Sequence, residues 1–273
     1  MKNLFIKSIT MITFCALLFS CVKEKTEWSV KSPSENMRFN VLFDESNQLI
    51  YNVEIIDQGT AKQVIANSPL GIRRGDEAFI QNMKFVSEEP VLLIDETFSL
   101  PTGKRKIVNN EVNELALNFE NENGTPLQLI IRMANDGVAF RYRFPNFDEN
   151  LHSVEEEVTG FAIAGEGKTW MAPYDKVTTY TPAYERYFEN GIPIGTAAPG
   201  EEGWCLPALF QTENAWMLLT EAALDSTYFG MHLQPNAEGG KYTLRMPEPN
   251  EAKNVCTNIP SSTLPWATPW RVM

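Results

Sequence analysis

Apolar and polar residues alternate in short runs along most of this chain, and turn-forming residues separate the runs. Met37–Phe43 and Leu49–Ile56 both alternate in this way, on either side of the polar stretch Asp44–Gln48. A period of two residues places successive side chains on opposite faces of a half-buried strand. The two runs therefore predict a β-hairpin.

The same pattern recurs to the end of the chain. Val138–Phe144 alternates most clearly, directly after the turn-forming tripeptide Asn135–Gly137. No window shows a helical stripe, and the 17 prolines and 16 glycines fall mostly between strands. The pattern predicts an all-β, antiparallel sandwich. The other predicted strands are Leu115–Phe119, Leu127–Met133, Ala162–Ile163 with their neighbours, Leu206–Thr212, Ala215–Glu221, Thr227–Leu233 and Tyr242–Arg245.

The first residues have the features of an export signal. Lys2 and Lys7 precede an apolar run, Ile9–Phe19, that is too short to cross a bilayer. We therefore predict a signal peptide over residues 1–20.

Cys21 follows a small residue, Ser20, as the lipidated cysteine of bacterial lipoproteins does. We predict lipidation at Cys21, a membrane contact through this N-terminal lipid anchor, and a tether over residues 21–31. An ordinary secretory signal with a chance cysteine is the alternative.

The charge of the chain narrows the choice of ligand. The formal net charge is −12 at pH 7, and an acidic surface repels phosphate backbones, which argues against nucleic-acid binding. Neutral sugars or cations fit better. The acidic run Glu155–Glu157 is expected to be a solvated face.

Common catalytic motifs are absent from the sequence, including Gly-x-Ser-x-Gly, His-Glu-x-x-His and Cys-x-x-Cys. The two histidines are His152, expected in solvent, and His232, expected to be a hydrogen-bonded structural residue of a strand. A sugar epimerase on this fold would need a histidine and a carboxylate in one groove, so it is a weaker alternative. Export permits a disulfide between Cys205 and Cys256, but two buried thiols are favoured in a domain of this size.

Two neighbouring segments, Thr169–Asp175 and Tyr184–Glu189, combine aromatic side chains with carboxylates. Aromatic faces stack on sugar rings while carboxylates accept hydrogen bonds from hydroxyl groups. Trp170, Tyr174 and Tyr187 are therefore predicted to bind substrate. Packing in a core or an interface is the alternative for each of them.

Several segments, taken together in order and spacing, resemble the N-terminal domain of glycoside hydrolase family 97. They are Ser32-Pro33 at the start of the first strand, Ser68–Ile72, Asn113–Leu115, Asn135–Tyr142, Trp170 with Pro173-Tyr174, Glu221–Leu224 and Thr268–Arg271. The resemblance runs from Ser32 to the last residue, so residues 32–273 are assigned to this domain. It implies a β-super-sandwich of the galactose mutarotase type. Since Pro265–Met273 looks like the entry to a strand, the last strand or strands are expected to be truncated.

The resemblance also implies a function and a cellular location. Family members are exported α-glucosidases or α-galactosidases of Gram-negative bacteria, which places this chain in the periplasm or at the outer membrane. Their catalytic carboxylates lie in a (β/α)8 barrel that this sequence does not contain, so we assign no catalytic residue and expect the isolated chain to be inactive. The implied partners are carbohydrate and that barrel. The alternative is a stand-alone, non-catalytic carbohydrate-binding surface lipoprotein.

A calcium ion is the cofactor that the resemblance implies. The N-terminal domain of the family contributes one glutamate to a Ca2+ beside the active site, and Glu185 matches that position here. Glu189 competes with it, and Glu221 competes more weakly. The other ligands are expected from the barrel, because one glutamate does not satisfy an ion that takes six to eight oxygens.

Overall fold

The computed structural model describes residues 25–177, 186–248, 250–251 and 259–273. In these ranges the chain forms twenty strands and a single 3-10 turn, Glu238–Gly240. Every pair of neighbouring strands is antiparallel. The predicted all-β, antiparallel fold class is confirmed.

The strands form two sheets of unequal size. The smaller sheet has seven strands in the order β1 (Glu27–Lys31), β2 (Met37–Phe43), β3 (Leu49–Asp57), β4 (Thr60–Pro69), β12 (Gly160–Ile163), β18 (Lys241–Arg245) and β17 (His232–Leu233). The larger sheet runs in the order β14 (Glu189–Pro193), β13 (Gly167–Met171), β15 (Ala208–Thr212), β16 (Trp216–Ala222), β20 (Trp270–Val272), β11 (Val138–Glu157), β10 (Pro126–Met133), β9 (Ile107–Glu120) and β7 (Lys84–Glu88). Four further strands attach to it: β5 (Ile72–Arg74), β6 (Ala78–Phe79), β8 (Leu92–Ser99) and β19 (Ser261–Ala267).

Aromatic side chains from both sheets meet in the core. Phe39 and Tyr51 of the smaller sheet stack on each other at 4.9 Å, and both pack against Phe140 of the larger sheet. Val138, Phe140, Tyr142 and Phe144 are all buried, as their alternation in the sequence predicts. The period of two therefore identifies the inward face of β11 correctly.

The N-terminal boundary of the domain lies before the predicted one. Residues 27–31, assigned to the tether, form strand β1, in which Trp28 and Val30 are buried. The Trp28 ring packs against Phe85 and Phe119 of the larger sheet. Ser32-Pro33 consequently follows the first strand and does not open it, because β1 already pairs with β2.

Replacing Trp28 tests whether β1 belongs to the folded domain. We expect Trp28→Ala to lower the free energy of unfolding by about 3–5 kcal/mol, the usual cost of truncating a buried aromatic ring. Urea unfolding followed by circular dichroism measures this. Phe147→Ala is the control, since Phe147 is 78% exposed. A Trp28 variant as stable as the Phe147 variant would assign residues 27–31 to a linker after all.

The predicted strand Thr227–Leu233 is mostly wrong, since only His232 and Leu233 are in strand conformation. The Asp225 carboxylate accepts hydrogen bonds from the Thr227 backbone N–H at 2.7 Å and the Thr227 hydroxyl at 2.6 Å. A side chain that bonds to the backbone two residues later holds a turn and competes with strand pairing.

His152 is also misplaced by the sequence prediction, since its side chain is only 11% exposed. It lies between two carboxylates, with Nδ1 3.2 Å from Asp76 Oδ2 and Nε2 2.9 Å from Asp148 Oδ2. The acidic surroundings that suggested solvation instead supply its hydrogen-bond partners.

Across the described ranges, no helix is long and apolar enough to span a membrane.

Candidate functional site

Three chain segments lie side by side next to β17, the last strand of the smaller sheet. The Cys205 N–H donates to the Ala172 carbonyl at 2.8 Å, and the Tyr174 N–H donates to the Gly203 carbonyl at 3.0 Å. Trp204 and Leu233 exchange two backbone hydrogen bonds. These contacts bring Tyr174, Cys205 and His232 together, although they are far apart in the sequence.

Gly203 permits this close approach. Its φ is +83°, and a Cβ atom at this position would lie 2.1 Å from the Leu233 carbonyl oxygen. Only glycine combines this backbone conformation with this contact at no steric cost.

His232 is the centre of this group, which we call the His232 cluster: Tyr174, Glu202, Cys205, His232 and Glu251. The imidazole is buried, and the Tyr174 ring stacks on it with centroids 3.5 Å apart. Nδ1 lies 3.0 Å from the Glu202 carbonyl oxygen. Because a carbonyl oxygen can only accept a hydrogen bond, Nδ1 carries the hydrogen and is the donor. Nε2 lies 3.1 Å from a Glu251 carboxylate oxygen. Both ring nitrogens are therefore bonded within the protein, which supports the predicted structural role of His232.

Cys205 belongs to the same cluster and is a poor nucleophile. Burial raises the pKa of its thiol to about 11, and the nearby Glu251 charge adds to the increase, while a hydrogen bond with Tyr174 opposes it. The thiolate is the reactive form of cysteine, so this thiol is mostly inert at neutral pH. Cys256 lies outside the described residues, and the state of these two cysteines stays a prediction.

A buried ionic group formed by Glu157, Glu221, Tyr228 and Arg271 lies next to the His232 cluster, since Glu221 bonds to the residue before His232. The Arg271 guanidinium donates to both Glu157 oxygens, at 3.0 Å and 2.5 Å, and also to Glu221. The other Glu221 oxygen accepts the Met231 backbone N–H at 3.0 Å, and the Tyr228 hydroxyl donates to Glu157. Both carboxylates therefore bond to protein donors, as buried charges require.

The pKa directions follow from this burial. Loss of solvation raises the pKa of Glu221, although the Arg271 charge opposes the increase. Burial alone would lower the pKa of Arg271, but the Glu157 and Glu221 charges outweigh it and raise that pKa. Arg271 is thus permanently charged between two carboxylates, so this group carries a buried net negative charge when both glutamates are ionised.

The predicted substrate-binding residues occupy separate positions. Trp170 stacks on Trp216 of β16 with centroids 5.2 Å apart, whereas Tyr174 stacks on His232. Tyr187 is 93% exposed. The structure therefore places Trp170 and Tyr174 in different aromatic contacts, and Tyr187 projects into solvent.

The chain matches the family described as Glycosyl-hydrolase 97 N-terminal over residues 30–273. It belongs to this family. The matched range begins inside β1, and it agrees with the resemblance found in the sequence.

Solved structures and a curated relative extend this comparison. The family 97 N-terminal domain described here is 31% identical to a β-arabinopyranosidase, with a TM-score of 0.82 and coverage of 90% of this chain and 39% of that one. A family 97 enzyme from Pseudoalteromonas sp. strain K8, in complex with acarbose, shares the fold at 20% identity, with a TM-score of 0.69 and coverage of 90% and 35%. A probable retaining α-galactosidase of Streptomyces bingchenggensis (strain BCW-1) is 26% identical over 172 residues, which cover 63% of this chain and 25% of that protein. The chain thus spans between a quarter and two fifths of the length of these relatives.

The three candidate calcium ligands of this family 97 domain, Glu185, Glu189 and Glu221, have different surroundings. Glu185 lies outside the described residues, as does the predicted lipidation site Cys21. Glu189 is exposed at the first position of β14, opposite Met171. Glu221 is engaged with Arg271 and the Met231 N–H, which makes it a structural carboxylate. No group of three or more His, Cys, Asp or Glu side chains in the described part of the chain could hold a metal ion.

Sequence patterns do not identify two buried acidic residues near the His232 cluster, Glu157 and Glu251. Glu157 was expected to be solvated but is buried on Arg271, because a register shift between Val154 and Glu156 changes the faces of β11. Glu251 gave no signal, since its contact with His232 depends on the packing of distant segments. In the sequence, only the family resemblance of the segment Thr268–Arg271 marks Arg271.

Proposed function

We propose that this chain is the N-terminal domain of an exported α-glycosidase that hydrolyses α-glucosides or α-galactosides. In that enzyme it shapes the active site and contacts the carbohydrate, while the catalytic carboxylates belong to a separate barrel. The observation that carries the proposal is the family match over residues 30–273. The relatives named above as an α-galactosidase and a β-arabinopyranosidase support a glycosidase, and the first of them is the reason to include α-galactosides among the candidate substrates.

We assign the surface around the His232 cluster to the side of this domain that faces the active site. Tyr174 and Asp175 precede residues 178–185, and the exposed Tyr187 and Phe188 follow them. Asp175 accepts a hydrogen bond from Arg186 at 3.4 Å, so the two flanks of this segment meet. Aromatic rings near carboxylates support contacts with a sugar at Tyr174 and Tyr187. We propose Trp170 as a further sugar contact beside Trp216.

Glu185 is the residue we propose as the contribution of this domain to a calcium site. A carboxylate suits Ca2+, a hard cation that takes oxygen ligands. When bound, the ion would orient sugar hydroxyl groups and stabilise charge near the scissile bond. Because the described residues provide no complete ligand set, the barrel would supply the other ligands. Glu189 is the alternative in this domain.

We further propose that the enzyme is a lipoprotein of the periplasm or outer membrane, anchored through Cys21. Mass spectrometry of the mature protein tests this, since a diacylglyceryl group on Cys21 adds a defined mass. A mature chain that begins elsewhere would rule out the anchor.

Hydrolysis assays separate this proposal from a stand-alone sugar-binding lipoprotein. We expect the purified 273-residue chain to release no p-nitrophenol from the α-galactoside, the α-glucoside or the β-arabinopyranoside. The same chain fused in its natural reading frame to the barrel should hydrolyse at least one of them. Turnover by the isolated chain, or a reading frame that encodes no barrel, would contradict the proposal.

A further inference from the structure

Strand β8 forms an outer edge of the larger sheet. It pairs with β9 through all eight of its residues without a register shift. In the described part of the chain it has no second strand partner. Leu93 is 55% exposed and Phe98 is 44% exposed, and the strand contains no proline. A long, regular edge with exposed apolar side chains is a template for pairing with another strand.

Most of β8 extends past the end of the neighbouring strand β10. The last residue of β10, Met133, lies opposite Asn113 of β9. Residues 94–99 and 107–112 therefore pair only with each other in the described ranges, and we call these two strands and their loop the β8–β9 ribbon. A two-stranded ribbon by itself is marginally stable in water. Further strands from a partner would stabilise it.

The backbone of β8 has hydrogen-bonding groups at its free edge. The Leu100 N–H donates to the Lys106 carbonyl oxygen at 2.8 Å, in the register of the β8–β9 ladder. Hydrogen-bonded pairs alternate along an antiparallel ladder, so the even-numbered residues of β8 bond to β9. The N–H and carbonyl groups of the odd-numbered residues, such as Thr97, consequently face away from β9 and can bond to a new strand.

The charges of the β8–β9 ribbon are separated along its length. Its strands carry three carboxylates, and the loop that joins them carries three cations. These residues are Asp95, Glu96, Glu111, Lys104, Arg105 and Lys106. All six are exposed, and no ion pair among the described residues includes any of them. Asp95 lies directly opposite Glu111, and like charges in this position destabilise a strand pair. A cation from outside the ribbon would relieve this repulsion.

We propose that two copies of this chain associate through their β8 edges, which pair as antiparallel strands about a twofold axis near Phe98. The two ribbons then form one four-stranded ribbon, and the same surface of each copy contacts the other. A register centred on Phe98 brings the basic loop of each copy beside Asp95 and Glu96 of its partner.

The charges also explain why the partner is a second copy and why this register is selected. Each ribbon carries an acidic and a basic half with equal numbers of charges, so two antiparallel ribbons complement each other at both ends. A register centred between Asp95 and Glu96 would instead place these carboxylates against each other, and like charges across an interface disfavour the wrong arrangement.

Charge reversal tests this assembly. The loop variant carries Lys104→Glu, Arg105→Glu and Lys106→Glu, and the strand variant carries Asp95→Lys, Glu96→Lys and Glu111→Lys. Each variant alone brings like charges together, so we expect its dimer to dissociate at least about tenfold more readily. A 1:1 mixture of the two should form a heterodimer, because the acidic loop of one then meets the basic strands of the other. Sedimentation velocity between about 1 and 200 µM measures both, since a small interface binds weakly.

Two further variants are controls for net charge and for strand pairing. Glu122→Lys, Glu166→Lys and Glu213→Lys together change the net charge as much as the strand variant does, at exposed positions outside the strands, and this protein should dimerise like the unchanged chain. Thr97→Pro removes an N–H at the free edge and no hydrogen bond to β9, so it should give a monomer with an unchanged circular dichroism spectrum.

Association of the loop and strand variants only after mixing would support the inference. An unchanged chain that stays monomeric over the whole concentration range would overturn it, and so would a dimer that the loop, strand and control variants all form equally well. A monomeric chain whose basic loop binds vesicles of anionic lipid would assign the loop to a membrane surface instead. These results are independent of the proposed function, which hydrolysis by the barrel fusion tests separately.

Discussion

Arg271→Met is expected to lower the free energy of unfolding by about 3–5 kcal/mol, the cost of leaving a buried charge without its partner. Arg271 is the common partner of Glu157 and Glu221, and the side chains of all three are almost fully buried. Methionine fills a similar volume but donates no hydrogen bond. Among the residues that the structure describes, the donors left to the two buried carboxylates would then be the Met231 N–H and the Tyr228 hydroxyl. Urea unfolding followed by tryptophan fluorescence measures the loss.

Arg143→Met is the matched control. Arg143 lies on the outer face of β11, and within the described part of the chain its guanidinium donates one hydrogen bond, of 3.3 Å, to Gln128. We expect this variant to lose less than about 1 kcal/mol, as is usual for surface substitutions. If Arg271→Met does not fold, a triple variant that adds Glu157→Gln and Glu221→Gln tests the same ionic assignment. It removes the two unpaired charges together with the arginine. Equal stability of the Arg271 and Arg143 variants would contradict the assignment.

The stability deficit of Arg271→Met should also depend on pH. Burial already raises the pKa of Glu221 above its usual value in the intact protein, against the opposing charge of Arg271. Without Arg271 this pKa rises further, so the folded state binds a proton more tightly than the unfolded state does. The cost is then largest above the raised pKa and decreases as the pH falls towards the ordinary pKa of glutamate. We expect a smaller deficit at pH 5 than at pH 8, and a deficit independent of pH would argue against an ionic origin.

The fold could be predicted because its signal is local. In Val138–Phe144 each side chain is assigned to a face by its immediate neighbours, and the structure buries the four expected ones. Local chemistry also explains two wrong predictions, the strand over Thr227–Leu233 and the solvation of Glu157. The Asp225 side chain holds a turn in a segment that alternates like a strand, and a register shift in β11 turns Glu157 inward. Neither a side-chain hydrogen bond nor a bulge is visible in a pattern of apolar and polar positions.

The site could be predicted only in part, because its contacts are not local. The residue type alone makes Tyr174 a candidate for sugar binding. Its stacking partner is His232, which pairing between Trp204 and Leu233 brings near. Arg271 and Glu157 are 114 residues apart in the sequence. A single sequence identifies aromatic and acidic side chains, and it does not show which strands become neighbours.

Glu185→Ala in the full-length enzyme should depress activity by at least about 100-fold at low calcium and raise the calcium concentration needed for half-maximal activity. Replacing a residue that only hydrogen-bonds to a metal ligand typically lowers metal affinity or activity by about 10–100-fold. Loss of a direct ligand should lower them by at least as much. The measurement is hydrolysis of a p-nitrophenyl glycoside over a calcium titration after treatment with a chelator. Excess calcium should restore part of the activity, because the ligands that we propose from the barrel would remain.

The choice between Glu185 and Glu189 depends on the matched variants. Glu189→Ala removes the same group four residues later, from an exposed position in β14, and it should leave the calcium dependence unchanged. Glu185→Asp should retain part of the activity, because a carboxylate on a shorter side chain can still reach a cation with flexible coordination. Glu185→Gln keeps the size but removes the charge, so it should resemble Glu185→Ala. If instead Glu189→Ala alone shifts the calcium titration, Glu189 in β14 is the calcium ligand of this domain and Glu185 is not. If neither substitution shifts it, this domain shapes the active site without contributing to a calcium ion.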